Sequence, residues 1–160
     1  MTVDGTDYSI NQPAPFSKHW YSHKFNGPAV KYEIGVSIQM GHIVWINGPF
    51  PGKWHDVTIF QRDLKGKLGA GELVEADAGY AGEPAHIELP HEDYGSATWK
   101  KRKANARSRH EVVNRRLKCF GVLHQKFRLK PENHKIYFTA VAVITQLDIE
   151  NGHPMAQVKY

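Results

Sequence analysis

The chain is nearly devoid of cysteine. Cys119 stands alone, so no intramolecular disulfide can form, and the ten histidines have no paired cysteines with which to build a zinc-finger pattern. No apolar run approaches the ~18 residues a membrane span requires, and the opening "MTVDGTDYSI" lacks the basic-then-apolar order of a secretory signal. A soluble protein in a reducing, intracellular setting, with no membrane partner, is expected. Internal repeats and low-complexity tails are absent too. The most informative shortage is local. Between Lys100 and Lys130 there are twelve lysines and arginines but a single carboxylate, Glu111. The whole chain carries +5, so the remainder, with nine basic and fifteen acidic residues, is net negative. Positive charge gathered in one segment points to a polyanion-binding face rather than to a generally basic protein. The length, 160 residues, suits one domain with a real core and leaves no room for a large second one.

What is present reads as alternating strands and helices. "TVDGTDYSI" is β-branched and aromatic and predicts a first strand, ended by the Pro-rich turn "NQPAPF". Tyr32, Ile34, Val36, Ile38 and Met40 alternate with the period of a half-buried strand, and Gly41 permits a turn into "HIVWI", so a hairpin is predicted. "NGPFPG" is a loop by composition. Asp56 can then cap a helix carrying Val57, Ile59, Phe60 and Leu64. A short apolar strand, "ELVEADAGY", follows. After a Gly/Pro/His-rich connection over residues 81–95 the chain turns helical from about Trp99, and again through "NHKIYFTAVAVITQLDIENG". This order predicts an α/β fold with a mixed sheet.

A helix through the basic segment places Ala104, Arg107, Ser108, Glu111, Asn114, Arg115 and Lys118 on one side. Val113, Leu117, Phe120 and Phe127 gather roughly opposite, as a buried stripe. Glu111 would then face outward among cations. A plain account makes it the partner of Arg107 and Arg115 at i,i+4 spacing, worth ~0.2 to 0.5 kcal/mol each. A functional account joins it to two other acids on separate elements, Asp4 on the first strand and Asp77 at the end of the short fourth one. Carboxylates brought together raise each other's pKa unless a cation intervenes, and hard oxygen ligands with open positions suit Mg²⁺ or Mn²⁺. A pair of such ions activates water on one side of a phosphodiester and stabilises the leaving oxygen on the other.

The words "VDGTD", "PFPGKWHDVTIF", "EADAGY", "RSRHEVVNRRLKCFGVL" and "YFTAVAVITQLDIENG", in this order, resemble the DDE-type transposase nucleases of the PIF/Harbinger and IS5-like group, the DDE superfamily endonuclease domain. The likeness spans nearly the whole chain, and the 34 positions from Asp77 to Glu111 match that family's spacing. The resemblance implies an RNase H-like fold, with a mixed sheet flanked by helices. It implies that Asp4, Asp77 and Glu111 are the catalytic, metal-binding triad for two Mg²⁺ or Mn²⁺ ions, Asp4 being shared between them. The implied chemistry is hydrolysis of a DNA strand, with or without attack of the freed 3′-hydroxyl on target DNA. Complete members carry an N-terminal helix-turn-helix region, and the expectation here is a core without one. The expectation is therefore a single catalytic core over 1–160 that draws its specificity from a separate DNA-binding protein, with room for homo-oligomers. The rival expectation is a non-catalytic DNA-binding or interaction module of the same fold; an RNA-directed nuclease ranks below both, because no aromatic platform for single strands stands out.

Lys100, Lys101, Arg102, Lys103, Arg107, Arg115 and Lys118 are the expected phosphate contacts. "KKRK" also fits a nuclear-import patch, which would put the protein in the nucleus of a eukaryote. Three accessory candidates remain. His55 is the weaker candidate to approach the site, Asp56 is assigned to the helix cap, and Asn114, one turn after Glu111, either orients that carboxylate or is merely solvated. Asp7 should point away from Asp4, three positions apart on a strand. Glu75 shares the Asp77 face and is expected to be a solvated strand residue, with an accessory-ligand role as the alternative. "GKLGAG" lacks the Lys-Ser/Thr ending of a phosphate loop and reads as a turn, and His19 with His23 lacks further zinc ligands nearby.

Overall fold

The computed structural model describes residues 1–15, 17–89 and 97–158, with the side chains of Thr98 and Trp99 left aside. Six strands are formed, β1 (Thr2–Ser9), β2 (Tyr21–Ser22), β3 (Gly27–Val36), β4 (Ile43–Pro51), β5 (Val74–Glu75) and β6 (Ile87–Glu88). Four α-helices accompany them, α1 (Asp56–Arg62), α2 (Ala97–Lys118), the single-turn α3 (Gly121–His124) and α4 (His134–Glu150). In space the sheet runs β4, β3, β1, β5, β6, with β2 paired to the start of β3. The β1–β3 and β3–β4 pairs are antiparallel, while β1–β5 and β5–β6 are parallel. The sheet is mixed, as the order of elements predicts, and β1 lies at its centre.

Because successive side chains on a strand point to opposite faces, β1 feeds two cores. Tyr8, with Val30, Tyr32, Ile34 and Val36 of β3, packs against Val113 and Leu117 of α2 and Phe138, Val141 and Ala142 of α4. The predicted stripe of α2 is thus buried as expected. Val3, on the other face, packs with Phe60 and Leu64 after α1 begins, and with Val74, Ala76 and Tyr80 around β5. Polar tethers supplement this packing: Tyr32 Oη and His134 Nδ1 lie 2.9 Å apart, and His110 Nε2 lies 2.8 Å from Thr2 Oγ1.

Two boundaries differ from the sequence expectation. The hairpin is right, but β3 begins at Gly27 and ends at Val36, so Ile38 and Met40 fall in the turn. "NGPFPG" is strand rather than loop through Pro51: Asn47 pairs with Glu33, Phe50 with Lys31 and Pro51 with Val30. A register irregularity between Lys31 and Glu33 accommodates Gly48, whose φ of 139° only glycine adopts readily. β4 is the sheet's edge, where a proline's missing N–H costs no ladder bond. The expected 81–95 connection contains β6; its residues 90–95 lie outside those described.

Candidate active site

The parallel pairing of β1 with β5 locates the first two acids. Thr2 is the register partner of Glu75; two residues further along both chains come Asp4 and Asp77. Asp4 is half-buried, and its carboxyl is pushed up to about 6, first by burial and then by the negative charges of Asp77 and Asp56, against the opposing pull of Lys24 and the Gly5 N–H. Asn114 of α2 donates from Nδ2 to Asp4 Oδ2 at 3.3 Å. Asp77 is exposed and caps a single 3-10 turn, accepting the Gly79 N–H at 2.8 Å.

Asp56 departs from its expected role. The capping position of α1 is occupied by His55, which makes no side-chain capping bond, and Asp56 is the first helical residue. Its carboxylate instead accepts from Lys31 Nζ at 3.0 Å. It also lies against two glycines: a Cβ on Gly5 would overlap Asp56 Oδ1, and one on Gly79 would stand 2.9 Å from Asp56 Oδ2 and 3.0 Å from Asp77 Oδ1. Burial raises the Asp56 carboxyl, Lys31 opposes the rise, and Asp77 and Asp7 add to it. A third carboxylate thus enters the neighbourhood of Asp4 and Asp77, held by a lysine that the sequence pattern did not single out.

Asp7 faces away from Asp4 as predicted. It accepts a short hydrogen bond from Ser22 Oγ and lies 3.8 Å from Lys31 Nζ. Glu75 is buried, at 5% exposure, and is not the solvated residue expected. His55 is exposed. Glu111 is exposed on α2, one turn before Asn114, and among the described residues it has neither a hydrogen bond nor an ion pair. The i,i+4 pairs with Arg107 and Arg115 are therefore not formed. Among the described residues no three of the His, Cys, Asp and Glu side chains are arranged to hold a metal ion. Asp4, Asp77 and Asp56 interact, Asn114 reaches Asp4, and Glu111 takes part in none of these contacts.

The basic segment divides into two groups. Lys100, Lys101 and Arg115 are exposed, and Arg102 and Arg107 are half-buried. Lys118 is half-buried too, its Nζ 5.3 Å from the centroid of the Tyr8 ring, and its ammonium is pulled below the usual lysine range by burial and by nearby Lys24. Lys103 does not belong to an open cationic face: it is buried and ion-paired with Glu88. Arg109 is buried as well, donating from Nε to Ala156 O at 2.9 Å and from Nη1 to Ser37 O at 3.1 Å. Arg116 pairs with Asp148 at 3.2 Å. A run of cations in sequence cannot separate those that anchor the fold from those that face solvent.

Residues 3–146 match the family model of the DDE superfamily endonuclease. The chain belongs to that family. No curated protein and no solved structure matches it. For a DDE superfamily endonuclease the mixed six-stranded sheet flanked by helices is the expected RNase H-like fold. Domains of this superfamily are nucleases that act on DNA and generally use divalent metals. The residues present fit such an ion. Asp4 and Asp77 offer hard oxygens whose mutual repulsion a cation relieves, and Asn114, whose Nδ2 donates to Asp4, has an Oδ1 that is buried without a hydrogen-bond partner. No helix is long and apolar enough to cross a membrane among the described residues.

Proposed function

We propose that this endonuclease domain is the catalytic core of a Harbinger-type transposase nuclease, cutting DNA with two divalent ions, Mg²⁺ or Mn²⁺, held by Asp4, Asp77 and Glu111. The observation that carries the reading is the meeting of Asp4 and Asp77 at the centre of the sheet, through the parallel pairing of β1 with β5; burial and the Asp77 charge push the Asp4 carboxyl up to about 6 there. Bound ions would supply a water nucleophile at neutral pH and stabilise the leaving oxygen. The protein's own residues do the rest. Asp4 would be shared between the ions, with Asp77 and Glu111 each completing one side. Asn114 keeps the Asp4 carboxylate turned toward α2 through its amide N–H. Lys100, Lys101, Arg102, Arg107, Arg115 and Lys118 hold the phosphate backbone, a role from which buried Lys103 is withdrawn. Strand transfer would follow if the freed 3′-hydroxyl replaces water as nucleophile, without a covalent enzyme intermediate. A separate protein would contribute target specificity, and "KKRK" would direct the chain to a nucleus.

A second reading, a non-catalytic DNA-binding module, draws on the isolation of Glu111 from the other acids. Calorimetric titration with Mn²⁺ and nicking of a supercoiled plasmid decide between them, with wild type beside Asp77→Asn and Glu111→Gln. The nuclease reading expects binding and nicking in wild type and loss of both in each variant. A folded wild-type protein that binds DNA but neither takes up Mn²⁺ nor nicks the plasmid leaves the module.

A further inference from the structure

We infer that the Lys31–Asp56 pair is a positioning device for the two central acids: tethered by Lys31, the Asp56 carboxylate fills a slot between Gly5 and Gly79 and thereby sets the separation of Asp4 from Asp77. The inference rests on the nuclease reading for its functional meaning, but its structural content stands on contacts alone.

Gly5 directly follows Asp4 on β1, and Gly79 is the residue whose N–H holds Asp77. The Asp56 carboxylate touches both, Oδ1 toward Gly5 and Oδ2 toward Gly79. Neither glycine has a positive φ, so conformational freedom does not explain them. Space does: a methyl at position 5 would overlap Asp56, and one at position 79 would press on Asp56 and Asp77 together. Lys31 fixes which way the wedge points. It lies on β3, reaches Asp56 Oδ1 at 3.0 Å and Asp7 Oδ1 at 3.8 Å, and is itself mostly buried. Asp7 is in turn bonded by Ser22. The chain of contacts runs from β2 through Asp7, Lys31 and Asp56 to the Asp77 turn, and it lies on the α1 face of the sheet, opposite Asn114.

Shape and tether, rather than charge at the cation, are the claim, and the substitutions separate them. Asp56→Ala empties the slot, Asp56→Asn refills it with the same shape, and Lys31→Met cuts the tether while leaving the slot full. Two measurements are made on the full chain. The first is the ¹⁵N relaxation order parameter of the Gly79 amide in metal-free protein. We expect the rigid-backbone value of about 0.85 in wild type and Asp56→Asn, and a fall toward about 0.6 in Asp56→Ala and Lys31→Met. The second is Mn²⁺ affinity by calorimetry, expected to weaken about tenfold in Asp56→Ala and by less than about threefold in Asp56→Asn, with KM for plasmid DNA unchanged in both.

An unchanged Gly79 order parameter in Asp56→Ala overturns the inference. So does an Asp56→Asn variant as impaired in Mn²⁺ binding as Asp56→Ala, which would make Asp56 a direct ligand. If Asp56→Ala does not fold, Lys31→Met decides the matter by the same order parameter. Wild-type protein that binds no Mn²⁺ would defeat the nuclease reading, while the Gly79 measurement would still decide the positioning role.

Discussion

Asn114 Nδ2 donates to Asp4 Oδ2 across 3.3 Å, while Asn114 Oδ1 is buried with no partner of its own. Helix α2 therefore meets the centre of the sheet through an amide whose donor end is used and whose acceptor end is open. A buried acceptor left unsatisfied costs ~1 to 3 kcal/mol, so the open oxygen is a place for water or a cation. Asn114→Ala should weaken Mn²⁺ binding about tenfold and slow plasmid nicking in proportion. Asn114→Asp, which keeps an oxygen but loses the N–H and adds a further negative charge, should change metal affinity in the opposite sense from Asn114→Ala. Calorimetry of the two variants against wild type checks this; equal losses in both would remove Asn114 from the site.

Glu33 is fully buried on β3, and burial pushes its carboxyl up to about 7 even though Trp45 Nε1 donates to it at 2.8 Å. The folded state holds its proton more tightly than the unfolded chain, so this group destabilises the fold progressively as pH rises from about 4.5 to about 7. Glu33→Gln keeps an acceptor for Trp45 and removes the ionisation. The variant should gain on wild type across that interval, by on the order of 3 kcal/mol at most. Melting temperatures at pH 4.5 and pH 7.5 test it; a constant difference between the two proteins would refute the assignment.

His110 and His134 titrate in the opposite sense. Burial lowers both imidazoles to about 4, so they fold neutral, and protons bind the unfolded chain more readily below about 6.5. Stability should fall as pH drops from 6.5 toward 4, steepened by each histidine. His110→Leu should flatten this acid limb while costing stability at neutral pH, because Thr2 Oγ1 loses its 2.8 Å partner. Denaturant midpoints across pH 4 to 7 provide the measurement.

DNA affinity should depend on the cations that face solvent. Arg115→Ala and Lys101→Ala, both at exposed positions, should each reduce the slope of log affinity against log salt by about 0.9 for a lost duplex phosphate contact. Lys103→Ala should leave that slope unchanged and lower the melting temperature, since its partner is Glu88. Fluorescence titrations at several salt concentrations separate the two behaviours, and a reduced slope in Lys103→Ala would contradict the burial argument.

Much of the fold was legible because it rests on local periodicity. The alternation from Tyr32 marks the apolar face of a strand that is buried on both sides, and the 3.6-residue pattern from His134 to Glu150 has one dominant buried face. The strand through "NGPFP" was hidden because glycine and proline signal turns locally, whereas pairing with β3 at the sheet's edge tolerates both. That Asp4 and Asp77 come together was legible from the words around them. The role of Asp56 was not: a helix-start aspartate satisfies a capping rule within three residues, and its true partners, Lys31 and Gly5, are 25 and 51 positions away in the chain. Lys103 was misread for a related reason, its neutralising acid lying on β6 rather than on its own helix.

Arg109 has one more effect. Its guanidinium is bound to carbonyls of the β3–β4 turn and of Ala156, and the next residue, His110, is bound to Thr2 on β1. Two consecutive side chains, ~100° apart around the helix axis, are thus keyed to three separate parts of the chain. Contacts at two such angles oppose both rolling and sliding of the helix. The rotational phase of α2 is locked, and with it the azimuth of Glu111, which lies ~200° around from Arg109. Glu111 is thus presented to the site from a helix anchored at two azimuths.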